Sequence, residues 1–146
     1  MNRVQAIELV DVKKSYFLSN GDEVPVLKGI NLSIAQGEFV AIMGSSGGGK
    51  STLLNIIGCL HPLSAGSYLF FGEDIGRVRD DYTLAFIRNK KIGFIFQQFN
   101  LFSKYTALKN VAMPALYAGM ERSCLLYTSE ASDDLLCVAL GGRRIN

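Results

Sequence analysis

Residues 44–52, Gly44-Ser45-Ser46-Gly47-Gly48-Gly49-Lys50-Ser51-Thr52, match the G-x-x-x-x-G-K-[ST] pattern of a phosphate-cradling loop. The chemistry of such a loop is anion binding by successive backbone N–H groups, so the side chains must stay out of the way. Gly44, Gly47 and Gly49 permit conformations closed to residues with a Cβ, and Ser45, Ser46 and Gly48 complete the turn. Lys50 supplies a full positive charge for β- and γ-phosphates. The Ser51 hydroxyl is a hard oxygen ligand for a Mg²⁺ that keeps most of its waters, and Thr52 would hydrogen-bond near an α-phosphate. A flexible Gly/Ser turn is the alternative, and the flanking segments weigh against it.

Two elements must position this loop. Glu38-Phe39-Val40-Ala41-Ile42-Met43 ahead of it is an apolar, strand-like segment, and Leu53-Leu54-Asn55-Ile56-Ile57 continues from Lys50 as a helix. Strand, glycine turn and helix together aim the turn's amides and the helix N-terminus at one anion. Further along, Ile92-Gly93-Phe94-Ile95-Phe96 reads as a buried strand followed at once by Gln97-Gln98. Gln97 therefore falls at the C-terminal end of a core strand, where α/β sheets bind ligands, and its carbonyl can complete a Mg²⁺ shell or hold a water near a γ-phosphate. A plain loop residue is the alternative for Gln97.

The remaining elements are read in chain order. Val4 to Val12 alternates partly and predicts a first strand, Gly21-Asp22-Glu23 a turn, and Val24 to Ile34 a second extended segment ending at Gln36-Gly37. Two strands ahead of the phosphate-loop strand predict a small antiparallel sheet laid against the nucleotide core. Tyr16, just before the turn, can stack on an adenine base; a half-buried core tyrosine is the alternative. Ser67 to Phe71 predicts a short strand. His61, alone beside Pro62, reads as an exposed loop histidine. Asp80 to Lys91 predicts a helix with acids at its start and bases at its end. Thr106 to Gly119 has helical period, with Pro114 predicting a kink or two short pieces.

Composition narrows the class. The chain has 146 residues, is 49% hydrophobic and carries a net charge of +2. That is one domain's worth of chain with enough apolar content for a core, and its scattered basic residues exclude an electrostatic footprint for nucleic acid. No apolar run reaches the ~18 residues of a membrane span, and the first residues lack a signal-peptide core, which predicts a soluble protein. Cys59, Cys124 and Cys137 lack metal-ligand spacing and read as free thiols in a reducing cytosol.

Tyr16 after Lys-Lys-Ser, Val26-Leu27-Lys28-Gly29-Ile30 before Gln36-Gly37-Glu38, the 44–52 loop, and the run from Ile92 to Leu101 together resemble the ATP-binding subunits of ABC transporters over residues 4–122. Ile57-Gly58-Cys59-Leu60, Gly66-Ser67-Tyr68 and the stretch from Asn110 to Gly119 are most similar to the macrolide-exporter and lipoprotein-release branch. The resemblance implies an α/β P-loop NTPase core of ABC type with an N-terminal antiparallel β subdomain, incomplete here. It further implies ATP and Mg²⁺ as ligands, Tyr16 as the adenine-stacking aromatic, Gly44 to Thr52 on the phosphates, and Ser51 and Gln97 on the metal. The implied partners are a membrane permease subunit, faced by the loop from Gln97 to Tyr105, and a second nucleotide-binding subunit in a homodimer. The implied location is cytoplasmic, on the inner face of the membrane.

The sequence departs from that family at several points. Gly48 replaces a usual serine, and Lys109 stands where a glutamate commonly precedes Asn-Val. The Leu-Ser-Gly-Gly-Gln signature, an apolar strand ending in Asp-Glu and a switch histidine do not occur downstream of Gln97; Leu140-Gly141-Gly142-Arg143 only echoes the first. The family pattern stops after Arg122, so residues 1–122 are expected to be the N-terminal part of the nucleotide-binding domain. Residues 123–146 resemble adaptor-derived sequence, with a divergent helix over Asp133 to Leu140 as the alternative. Two functions remain: the ATP-hydrolysing subunit of an exporter, or a module that binds nucleotide without hydrolysing it. A P-loop GTPase or small kinase fits less well beside Tyr16 and the Gln97 segment, and no Asn-Lys-x-Asp run is present to read guanine.

Overall fold

A computed structural model describes residues 4–96, 98 and 100–119. Strands β1 (Gln5–Phe17) and β2 (Glu23–Ala35) form a long antiparallel hairpin. Its turn is closed by Leu18 N–H on Asp22 O and Gly21 N–H on Leu18 O, both at 2.9 Å. After helix α1 (Lys50–Ile57), strand β3 (Ala65–Phe70) pairs with the other edge of β1 and the short β4 (Glu73–Asp74) pairs with β3. The sheet order is β2-β1-β3-β4, antiparallel throughout. Both hairpin strands are longer than the sequence reading predicts, and a third and fourth strand widen the sheet.

The hairpin tolerates two irregularities for identifiable reasons. Pro25 lacks an N–H, and it sits on β2, an edge strand, opposite Ser15. The Ser15 N–H donates to Ser64 Oγ at 3.0 Å. A register shift between Leu9 and Val12, with Asp11 at φ 48°, inserts a residue into β1. The shift brings Leu9 and Val12, three positions apart, onto the same buried side although an unbroken strand would alternate. These two residues, Leu27 and Tyr68 from the sheet, Leu53 and Ile56 from α1, and Leu63 and Ile75 from the loops make up most of the core.

Helix α2 (Asp81–Lys91) starts where the acidic pair predicts, with Asp80 as its cap. The Asp80 carboxylate accepts from Thr83 N–H at 2.9 Å and Thr83 Oγ1 at 2.6 Å, bonds that hold its pKa below the ordinary aspartate value. Helix α3 (Ala107–Tyr117) is capped by Thr106, whose side chain accepts from Lys109 N–H. Pro114 lies inside α3 without splitting it. Its ring forfeits one intrahelical bond near the C-terminal end, and the following turn is still closed by Ala118 N–H on Pro114 O at 3.0 Å. Asn110 ties α3 to the preceding loop, accepting from Phe102 N–H at 2.8 Å and donating to Phe102 O, Tyr105 O and Thr106 O. The chain divides into two compact units, Met1–Arg88 and Asn89–Asn146.

Two expectations fail. Residues 38–43 and 92–96 carry no strand pairing among the described residues. Phe39 and Met43 are 97% and 89% exposed, and Ile95 is fully exposed, so neither segment is a buried strand. A strand exists only through a ladder with a neighbour, and the β1–β4 sheet accepts neither segment. The stacking of Phe94 on Phe96, centroids 5.6 Å apart and planes 8° apart, keeps the two-residue spacing of an extended chain.

Candidate functional site

Helix α1 starts where Gly49 turns the chain, at φ 82° and ψ 5°. A Cβ on Gly49 would come within 2.9 Å of Leu27 Cδ2 and 3.3 Å of Val26 Cγ1, so glycine is required by conformation and by space, and the loop is seated on β2. Gly47 also lies in the left-handed region, at φ 78°. Gly48 does not; a Cβ there would sit 3.2 Å from Ser45 O, a contact that asks for a small shift.

The first carbonyl used by α1 is Gly49 O, which accepts from Leu53 N–H at 2.8 Å. The amides before Leu53 therefore have no intrahelical partner. Gly49, the residue at the cap position, offers no side chain to this end and the first turn holds no acid, so the positive end of the helix dipole faces no negative charge from its own helix. Lys50 Nζ folds back and donates to Gly44 O at 3.0 Å and Ser45 O at 2.6 Å. Free amides and an ammonium group gathered in one loop can hold a polyanion. The Ser51 hydroxyl, exposed and without a hydrogen bond among the described residues, fits a single oxygen contact to a hydrated divalent cation. Thr52 is half-buried one residue on.

Tyr16 is half-buried, neither core nor free. Its hydroxyl lies 3.1 Å from His61 Nδ1, and the two rings meet edge-on with centroids 6.2 Å apart. Lys14 Nζ sits 5.1 Å from the Tyr16 centroid and donates to Pro62 O at 2.8 Å. In the hairpin register Lys14 opposes Leu27, the residue against which Gly49 packs, and Tyr16 is two positions further along β1. The ring thus belongs to the same end of the hairpin as the loop of residues 44–52. His61 is the exposed loop histidine that the sequence suggests, and the Tyr16 hydroxyl is its hydrogen-bond partner. Only the i, i+2 spacing of Lys14 and Tyr16 hinted at this cluster, since His61 is brought in from a distant loop. Gln97 lies outside the described residues.

A recess of about 770 Å³ lies between the loop at Cys59–Pro62 and the start of α2, and no residue expected to bind nucleotide lines it. Arg88 spans it to donate to Cys59 O at 2.8 Å. The Cys59 thiol is buried and free, and burial pushes its pKa up against the opposing pull of Arg88.

A family model described as ABC transporter matches residues 27–141. The chain is 51% identical over 113 residues to the macrolide export ATP-binding/permease protein MacB of Syntrophobacter fumaroxidans, covering 77% of this chain and 16% of that protein. It is 50% identical over 120 residues to the pyoverdine export ATP-binding/permease protein PvdT of Pseudomonas aeruginosa, covering 82% of this chain and 18% of that one. Among solved structures, the dimeric bacterial ABC transporter cassette MJ0796 superposes with a TM-score of 0.71 at 47% identity, covering 76% of this chain and 47% of that one. The same cassette in a post-hydrolysis state bound to ADP and Pi gives 0.78 at 41% identity, covering 86% and 54%. The chain therefore spans less than a fifth of the curated relatives' length and about half of the cassette's.

Proposed function

The chain belongs to the ABC transporter family, and from that premise we propose that it forms the ATP-binding part of an exporter, binding Mg²⁺-ATP through residues 44–52 to energise transport by a membrane permease. One observation carries the reading: an uncapped, acid-free helix N-terminus behind a left-handed Gly49, with Lys50 Nζ folded over the loop carbonyls. The amides from Gly44 to Thr52 receive the phosphates, Lys50 neutralises the β- and γ-phosphates, Ser51 and Gln97 contact the metal, and Tyr16 stacks on adenine. When bound, the Mg²⁺ supplies charge neutralisation across the phosphates.

The relatives carry a permease in the same protein and the structural neighbour is a dimeric cassette. By that likeness the partners are a permease and a second ATP-binding copy, at the inner face of the membrane. Among the described residues no helix is long and apolar enough to cross a membrane.

Lys50→Ala tests the assignment by nucleotide titration of the full-length protein. Removing the cation leaves phosphate charge uncompensated, and the expected loss of ATP affinity is about 2 to 5 kcal/mol, the range for truncating one partner of a charge pair. Unchanged binding would sink the reading.

A further inference from the structure

We propose that His61 is a positioning residue for the nucleotide base, acting through the hydroxyl of Tyr16. The proposal rests on the reading of Tyr16 as the base-stacking residue. Tyr16 stands one position from the end of β1, where a bare aromatic side chain would be free to change rotamer. Two restraints from one dipeptide remove that freedom. His61 Nδ1 holds the Tyr16 hydroxyl at 3.1 Å, while Pro62 O fixes the Lys14 ammonium that sits 5.1 Å from the ring centroid. The hydroxyl is tethered at the ring's edge and the ammonium takes one face, which leaves the opposite face for a planar base.

The dipeptide is itself fixed to the phosphate site through α1. Leu60 N–H and His61 N–H both donate to Asn55 O, at 2.8 and 3.2 Å, and Ser64 N–H donates to Lys13 O at 2.8 Å. One short helix therefore presents its N-terminus to the phosphates and delivers His61 to Tyr16 from its other end. A ring already set in orientation gives up less side-chain freedom on binding, so the His61 tether should show as affinity for the base and not for the phosphates.

The experiment titrates the full-length protein with ATP and, separately, with inorganic tripolyphosphate. His61→Ala and Tyr16→Phe should each weaken ATP binding about two- to fivefold, the scale of one hydrogen bond, and leave tripolyphosphate binding unchanged. The double variant should bind ATP no worse than either single one, and His61→Asn, which offers an amide near the position of Nδ1, should restore most of the affinity. The proposal is overturned if Tyr16→Ala weakens ATP binding while His61→Ala does not, if the two single losses multiply in the double variant, or if tripolyphosphate affinity falls in step. Tyr16→Ala indistinguishable from wild type removes the base-stacking reading itself, and this proposal with it.

Discussion

Tyr16 presents an aromatic face and Lys50 a charge, and the two contributions should separate in binding measurements. Tyr16→Ala removes the stacking surface and should lower ATP affinity by about 1 to 3 kcal/mol, read as a rise in the dissociation constant for ATP against an unchanged one for tripolyphosphate. An unaltered ATP affinity would return Tyr16 to the half-buried strand-end residue that the bare sequence also allows. Part of this scale was legible: the glycine spacing marks the left-handed turn at Gly47 and Gly49, and Lys50 opens the helix that follows. The tether of Tyr16 was not, because His61 meets its hydroxyl and Pro62 O holds Lys14 beside its ring from a segment that no local pattern relates to β1. The support of Gly49 by Val26 and Leu27 was equally hidden, since a glycine's neighbours across a fold leave no trace in its own flanks.

Helix α1 ends in a motif that sequence rules would assign to glycine at its turning residue. Gly58 is the cap, Cys59 adopts φ 56°, and the paired bonds Cys59 N–H on Ile56 O at 2.9 Å and Leu60 N–H on Asn55 O at 2.8 Å close the turn. A cysteine is held in that left-handed position by burial of its side chain. The remaining carbonyl, Ile57 O, is capped from β3 by the hydroxyl of Tyr68 at 2.7 Å. Tyr68 is 2% exposed, and burial raises its pKa so that the hydroxyl remains a donor. Tyr68→Phe should therefore leave Ile57 O without its hydroxyl donor and cost about 1 to 2 kcal/mol, seen as a lower denaturant midpoint at constant slope. A midpoint equal to wild type would mean that water replaces the hydroxyl without loss. At this scale the helices and the hairpin were readable from period, caps and turn residues, whereas the bulge at Asp11 and the Tyr68 bond belong to pairings made across the sheet.

Taken alone, the 146-residue chain should not turn over ATP. Phosphoryl transfer depends on positioning and electrostatics, and the sequence beyond Gln97 offers no strand ending in Asp-Glu to hold the metal and orient a water. Exposed Phe39, Met43 and Ile95 predict poor solubility as well, since apolar segments with strand pattern find no ladder among the described residues. Phosphate release by the purified chain should match that of its Lys50→Ala variant; monodisperse protein with Lys50-dependent release would show that residues 123–146 supply catalytic groups. By itself the sequence determined the glycine turn, its helix, the N-terminal hairpin and the family, because each rests on spacing within one short segment. It also marked residues 38–43 and 92–96 as strands, since hydrophobic pattern records what a segment would bury if it had neighbours. Only the tertiary structure decided that those segments find no ladder among the described residues, that β3 and β4 complete the sheet, and that His61 meets Tyr16. Ladders and side-chain tethers form between residues far apart in the chain, and the local pattern of either one does not name the other.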